Sequence, residues 1–407
     1  MEPPFSPRFP CALFVAEDAI VDCRHQIFNH FFPHFFASIC TCASLLSRPR
    51  RFSCHRLCIN LFCVHHKLLA QSQIANPLQT GVDRRDPIIP PGYGRRKLSA
   101  FEIYRLEQKI NQLEQTATQE LQQGNLNRAF ELWYRQLKLA RAINPEVEIE
   151  ALGKVGAIAW QENRAVDLRN IANRLIAIEK EITTADLSPK LLNSLATAYQ
   201  QVKYLEQAIA IEQQILKNSK QQQNLVAVAE NLQILAELYV ANFDYSSAVK
   251  TYQELLTLAE SKSSSEQVNF YLTTLIDLYD RTGQTKPAIA ARKRLIKNYT
   301  KSNKLDQVAG LELASAHDYE ALNQTTKARE AYERGFTLAS ATQQLAIAND
   351  ALESLGKLYL KKGQEQEAIA TFTQLEKVQR QSYNHYGLIN TYDTLGKIYL
   401  KLKKKRR

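Results

Sequence analysis

Residues 231–260, NLQILAELYVANFDYSSAVKTYQELLTLAE, decide the fold. Leu232, Leu235, Ala236 and Tyr239 follow one another at spacings of three, one and three, which places them on one stripe of an α-helix. After the polar stretch Ala-Asn-Phe-Asp-Tyr-Ser, the residues Ala248, Val249, Tyr252, Leu255, Leu256 and Ala259 trace a second amphipathic stripe. The unit is therefore an antiparallel helix pair, too small to bury its apolar faces alone. Copies of it recur along the chain. Tyr199, Tyr239, Tyr279, Tyr319, Tyr359 and Tyr399 stand 40 residues apart, and Ala208, Ala248, Ala288, Ala328 and Ala368 keep the same beat. The alanine series reaches back to Ala129 through Leu168, with one short interval of 39. A fixed period of this length means one supersecondary unit stacked on copies of itself.

A small residue stands one turn before the tyrosine at Ala117, Gly156, Ala196, Ala236, Ala316, Gly356 and Gly396. A larger side chain there would hold two closely approaching backbones apart, and the alanine of the second helix meets the same need from the facing side. This order resembles the tetratricopeptide repeat, whose pattern runs small residue, tyrosine, turn glycine, alanine, aromatic. Gly356, Tyr359, Gly363, Ala368 and Phe372 carry it in one unit, and Ala117, Gly124, Leu126, Ala129 and Trp133 carry it in the first, which lacks the tyrosine. HEAT and armadillo repeats share the 40-residue period but not this order. Seven units cover roughly 101–378, and an eighth first helix over about 383–402 is expected to cap the last one. The resemblance implies an all-α, right-handed α-solenoid of about seven helix-turn-helix repeats plus a terminal capping helix. The family's usual unit has 34 residues. Six extra residues imply helices longer by nearly a turn each, at about 1.5 Å per residue. Units two and six are degenerate, with Leu168 in place of alanine and Glu312 and Ser315 in place of leucines. The Gln-rich composition and long repeat look like cyanobacterial members of the family.

The formal charge of +11 is unevenly spread. Residues 1–97 contribute +6, the tail from Lys401 to Arg407 another +6, and the remainder balances 34 basic against 35 acidic residues. A nearly neutral solenoid offers no extended basic face to follow a phosphate backbone, so nucleic acid is not expected as the main partner. The basic tail over 403–407 reads as a solvated end.

The first 66 residues are a different text: they hold all seven cysteines, six of the eight histidines and ten of the sixteen phenylalanines. Residues 1–70 are expected to be a disordered or non-native extension, upstream sequence read from a misassigned start or in the wrong frame. Cys54, Cys58, Cys63, His55, His65 and His66 have metal-ligand side chains, but no Cys-x-x-Cys pair or familiar zinc spacing. The run from Ile27 to Leu46 is interrupted by Asn29, His30, Pro33 and His34, so stable membrane insertion is not expected. A short apolar core at 57–64 before Ala70 resembles a degenerate signal region. The compartment is therefore open: cytoplasmic, or exported to a periplasm or thylakoid lumen if a native signal precedes Ala70. Residues 71–97 carry Pro77, Pro87, Pro90, Pro91, Gly81, Gly92 and Gly94 and read as a linker or extended arm. Ser99 and Glu102 form a capping-box pattern that opens the repeat domain, 98–402.

No nucleophile elbow, phosphate-binding glycine loop or metalloprotease motif is present, so the chain is not read as an enzyme and no cofactor or metal is implied. What the resemblance implies instead is a concave groove lined by first helices. The residues pointing off the stacking stripe are Asn193, Thr197 and Gln200, then Glu230, Gln233 and Glu237, then Thr273, Asp277 and Asp280. His317 and Glu320 follow, then Glu353, Lys357 and Lys361, and last Asp393, Lys397 and Lys401. The groove is expected to be acidic at its centre and more basic toward the C-terminus. Co-chaperones of the family grip a terminal carboxylate with lysine and asparagine at such positions; Thr, Gln, Glu and Asp stand here instead, which argues against that ligand. The expected function is a non-catalytic protein-interaction scaffold or assembly factor binding a peptide or helical partner, with a ligand- or peptide-responsive sensor as the alternative. Oligomeric state is not legible.

Overall fold

The computed structural model describes residues 76–182 and 188–405. The cysteine-rich stretch, with its signal, bilayer-span and metal-site readings, lies outside these residues, as do Arg406 and Arg407. Among the described residues the chain is an all-α solenoid. The first pairs are α1 (Ala100–Gln122) with α2 (Leu126–Arg141), α3 (Pro145–Gln161) with α4 (Ala165–Glu181), and α5 (Pro189–Gln201) with α6 (Leu205–Gln221). Next come α7 (Leu225–Ala241) with α8 (Tyr245–Ser261) and α9 (Ser265–Arg281) with α10 (Thr285–Lys301). The last are α11 (Val308–Ala321) with α12 (Thr325–Ala341) and α13 (Leu345–Lys361) with α14 (Glu365–Gln381), and α15 (His385–Lys405) closes the stack. No helix among them is long and apolar enough to cross a membrane.

From α6 onward the true beat is 20 residues: a helix of 17 and a turn of three, interrupted only where a 3₁₀ turn at Leu305–Gln307 opens the sixth unit. Half of the polar stretch between α7 and α8 is helical, and the turn itself is only Asn242, Phe243 and Asp244. Its hydrogen bonds explain its economy. Phe243 adopts φ 58°, its N–H donates to the Val240 carbonyl, and the Asp244 N–H donates to that of Tyr239 at 2.9 Å. This is the Schellman arrangement that satisfies the last carbonyls of a helix. Asp244 at once serves as N-cap of α8, its side chain accepting from the Ser247 N–H at 3.0 Å. Left-handed residues recur at Lys203, Gln223, Phe243, Ser263, Gly283, Asn303, Asn323, Gln343, Gly363 and Tyr383. From α5 onward the turns within units and between units are thus the same device.

Packing follows the small-residue ladder. Ala208, Ala248, Ala288, Ala328 and Ala368 are fully buried, as are Ala117, Ala236 and Ala316. At Gly356 the neighbour is a ring rather than a backbone: a Cβ there would sit 2.8 Å from Phe372 of the partner helix. At Gly156 a Cβ would meet Val202, at the end of α5, at 2.2 Å, and at Gly153 it would meet the Ala198 backbone at 3.0 Å. In unit two the glycines therefore serve the contact of α3 with α5 of the next unit. The degenerate positions of unit six are satisfied locally. Glu312 is buried but takes two hydrogen bonds of 2.9 Å from Arg334, and the Ser315 hydroxyl donates to the Leu311 carbonyl.

The proline- and glycine-rich segment packs as an arm rather than swinging as a linker, and from Asn76 on it belongs to the same compact unit as the repeats. Leu78 is 1% exposed within the first core cluster, and Ile89 is buried with it. Arg135 pairs with Asp86 at 2.8 Å, Arg141 donates to the carbonyls of Leu78 and Thr80, and the Asn76 amide donates to the Asn170 carbonyl. Prolines keep this stretch out of helix and sheet but leave its apolar side chains free to bury. The capping box expected at Ser99 and Glu102 is formed.

Candidate functional site

Thr197, Glu237, Asp277, His317, Lys357 and Lys397 occupy one register position on α5, α7, α9, α11, α13 and α15, and all six are exposed. One turn earlier stand Asn193, Gln233, Thr273, Glu353 and Asp393, of which Gln233 and Glu353 are half-buried. Leu313 fills that register on α11, so the polar row has an apolar gap there. Side chains link neighbouring first helices directly. The Tyr271 hydroxyl of α9 donates to Gln233 of α7 at 3.4 Å, and Lys361 of α13 reaches Glu320 of α11 at 3.4 Å. The column is thus bridged between α7 and α9 and between α11 and α13.

The charge gradient expected along it is largely cancelled by local pairing. Lys357 binds Glu353 and Lys397 binds Asp393, each at 2.5 Å across one helical turn, and Lys401 binds Glu365 at 3.1 Å. In the acidic centre Asp277 pairs with Arg281 at 2.7 Å, whereas Glu237 is met only by the amide of Gln233 at 3.2 Å. Glu237 is the least compensated charge of the column.

His317 does not stand free. Its Nδ1 lies 2.9 Å from the Tyr332 hydroxyl, with the rings edge-to-face, and that hydroxyl also lies 3.1 Å from Glu320. With the phenol proton given to Glu320, the imidazole N–H donates to the phenol oxygen. Burial, reinforced by Glu320, raises the Tyr332 pKa, so the phenol stays protonated. The arrangement holds an imidazole ring at the surface and supplies no nucleophile.

Behind the column lies a second register, Ala172, Glu212, Tyr252, Arg292, Tyr332 and Phe372 on the second helices, whose charged members sequence reading passed over. Tyr252, Tyr332 and Phe372 are core aromatics, yet two charged residues take their place elsewhere. Stepping back from Phe372 in strides of 40 would have found them. Arg292 is buried between Asp280 of α9, at 2.5 Å, and Asp318 of α11, with which it also forms an ion pair. An open cleft of about 350 Å³ beside it is lined by Tyr279, Asp280, Arg292, Ala314, His317 and Asp318. Glu212 has no such compensation. It is 4% exposed, its one hydrogen bond comes from the Gln200 amide at 3.2 Å, and Leu238 holds the register that Asp318 holds for Arg292. Burial raises its pKa to about 7.

Residues 350–382 match the family model of the tetratricopeptide repeat, a span that begins within α13, crosses the Gly363 turn and ends just past α14. That one unit is therefore similar to a tetratricopeptide repeat. No curated protein matches the chain. Among solved structures, the tetratricopeptide-like repeats of a putative kinesin light chain from Podosopora anserina share 19% identity, over 48% of this chain and 98% of that one, with a TM-score of 0.34. MamA shares 19% identity, over 47% and 97%, with a TM-score of 0.31. The apo form of RapI shares 12%, over 67% and 77%, with a TM-score of 0.38.

Proposed function

We propose that this tetratricopeptide solenoid is a non-catalytic scaffold or assembly factor that holds a peptide or helical protein partner along the column from Asn193 and Thr197 to Lys397. One observation carries the reading. The stacking positions repeat nearly unchanged from unit to unit, whereas the exposed register beside them runs Thr, Glu, Asp, His, Lys, Lys on consecutive helices. Five residue types over six positions can read a sequence; a single repeated one could not. Because most of the cations are already paired, the acidic centre around Glu237 is the part left to attract a partner, which favours a basic or polar peptide over a phosphate backbone.

The test is affinity purification of the tagged protein from its native host at low and moderate salt, with co-eluting proteins and RNA identified. A stoichiometric protein, lost when Glu237 and Asp277 are replaced by lysine, is the expected outcome. A partner indifferent to both reversals would place binding elsewhere, and recovery of RNA would overturn the class of partner.

A further inference from the structure

Among the described residues, every seam between neighbouring units but one is crossed by a buried apolar cluster. One cluster runs through units one to three and into α7, a second joins units four and five, and two more join unit six to unit seven, one of them reaching α15. Units five and six share none. From α11 only Leu311, itself half-buried, packs against the cluster of units four and five. The cause lies at one pair of registers, 26 residues apart, on a second helix and the first helix that follows it. Tyr252 with Leu278, Tyr332 with Leu358 and Phe372 with Ile398 are each buried in a common cluster. Between units five and six the same registers hold Arg292 and Asp318. A polar ladder breaks at the same place. Tyr239 accepts from Gln213 at 2.7 Å, Tyr279 accepts from Gln253 at 2.8 Å, and Tyr359 donates to Glu333 at 3.3 Å. Lys293 and Tyr319 stand at these registers in the remaining seam and form no bond with each other. Among the described residues the one side-chain hydrogen bond that crosses it runs from Arg292 to Asp318. The backbone crosses through the 3₁₀ turn at Leu305–Gln307, whose hydrogen-bond geometry is poorer than that of an α-turn.

We infer that the solenoid hinges between units five and six, with Arg292 as the latch: bonded to Asp280 and Asp318 in the closed form of this structure, and to Asp280 alone in an open one. Stability of a stacked array is set by its neighbour interfaces, so the array opens where apolar burial is missing. Breaking a buried ion pair is costly when it strands a bare charge. Here it does not: Asp280 belongs to the same unit as Arg292, so the guanidinium keeps a carboxylate in either form, and the Asp318 side chain, 22% exposed, gains water as the seam opens. On the column side the cleft of about 350 Å³, with Tyr279 and Asp280 on one wall and Ala314 and His317 on the other, leaves the two units room to move. The hinge divides the polar column between Asp277 and His317. The acidic half, with Glu237 and Asp277, thus turns against the half that carries Lys357 and Lys397. What this does to a bound partner rests on the scaffold reading above; the hinge itself does not.

The test is single-molecule energy transfer in the full-length protein, free of any partner, between dyes on unnatural amino acids at positions 250 of α8 and 374 of α14, both exposed. Two exchanging populations are expected. Arg292→Ala leaves Asp280 and Asp318 to repel each other and should shift weight to the open population. Arg292→Tyr with Asp318→Leu installs the pair found at the next seam, Tyr332 and Leu358, and should leave a single closed population. Dyes at the exposed positions 173 of α4 and 290 of α10 also span three seams, all closed by apolar burial, and should give one population in the wild type. Circular dichroism checks that the variants fold, and the comparison of the two label pairs needs no substitution at the seam. Three results would overturn the inference: one population for the 250 and 374 pair; two populations that persist in Arg292→Tyr with Asp318→Leu; or the same splitting for the 173 and 290 pair. Because no partner is present, failure here is separable from failure of the column as a binding surface.

Discussion

Replacing Glu212 by glutamine should remove a pH dependence of stability that the wild-type protein carries. The carboxyl sits in a place that units four, six and seven fill with tyrosine or phenylalanine, with one amide for company and no cation among its partners. Its pKa moves from 4.5 to about 7 because burial penalises the charged form. Between those values the folded state holds a proton that the unfolded chain releases, so stability falls as pH rises from about 4.5 and levels off above about 7. At 1.36 kcal/mol for each pH unit, the carboxylate costs about 3 kcal/mol once the site is ionised. Glutamine has the same shape and no charge, so it should exceed the wild type by less than about 1 kcal/mol at pH 5 and by about 3 kcal/mol at pH 8. Solenoid units open semi-independently, which makes hydrogen exchange of α5 and α6 the suitable assay, and comparing two proteins at one pH cancels intrinsic exchange. The opening equilibrium of the wild type should exceed that of Glu212→Gln by roughly two orders of magnitude at pH 8. An equal ratio at both pH values would refute the reasoning.

Further outcomes follow from the turns and the packing. Gly363→Ala should cost about 1 kcal/mol through its left-handed φ of 71° alone, since the space around it is open, while Phe243→Gly should gain up to about 1 kcal/mol, both measurable by urea denaturation. Gly356→Leu should destabilise unit seven by about 3 kcal/mol or more, because Phe372 must move, whereas Gly396→Ala should stabilise α15 by about 0.5–1 kcal/mol, read as local exchange protection. Arg292→Ala leaves Asp280 and Asp318 facing each other and should cost about 2–3 kcal/mol, discounted from the value for a fully buried pair because both carboxylates keep some solvent. Arg292→Tyr, the residue of units four and six at that register, should cost less in the same assay.

The 40-residue ladder of tyrosine and alanine was enough to read the stacked helix pairs, because close packing tolerates few residue types where backbones and rings approach. The 20-residue beat of the turns was hidden. Lys203, Phe243 and Tyr383 adopt a conformation that asparagine and glycine signal, and a Schellman turn is held by backbone hydrogen bonds that any side chain permits. The reading of a linker or an extended arm left burial open: Pro77, Pro87 and Pro90 announce irregular backbone but say nothing of whether Leu78 and Ile89 find a core. On the polar column, helical phase sufficed to place Thr197, Glu237, Asp277, His317, Lys357 and Lys397 in solvent. Their partners were not legible, since contacts such as Lys361 with Glu320 or His317 with Tyr332 depend on how neighbouring helices align. Glu212 and Arg292 were legible in principle, as charges on an aromatic beat.

The scaffold reading meets its most direct test in photocrosslinking within the native host. A benzoylphenylalanine placed in turn at positions 197, 237 and 277 samples the first-helix column, and one at 250 samples an exposed second-helix position. The account predicts that the three column sites capture the same protein and that position 250 does not. Capture from position 250 alone, or no protein adduct from any column site, would contradict it.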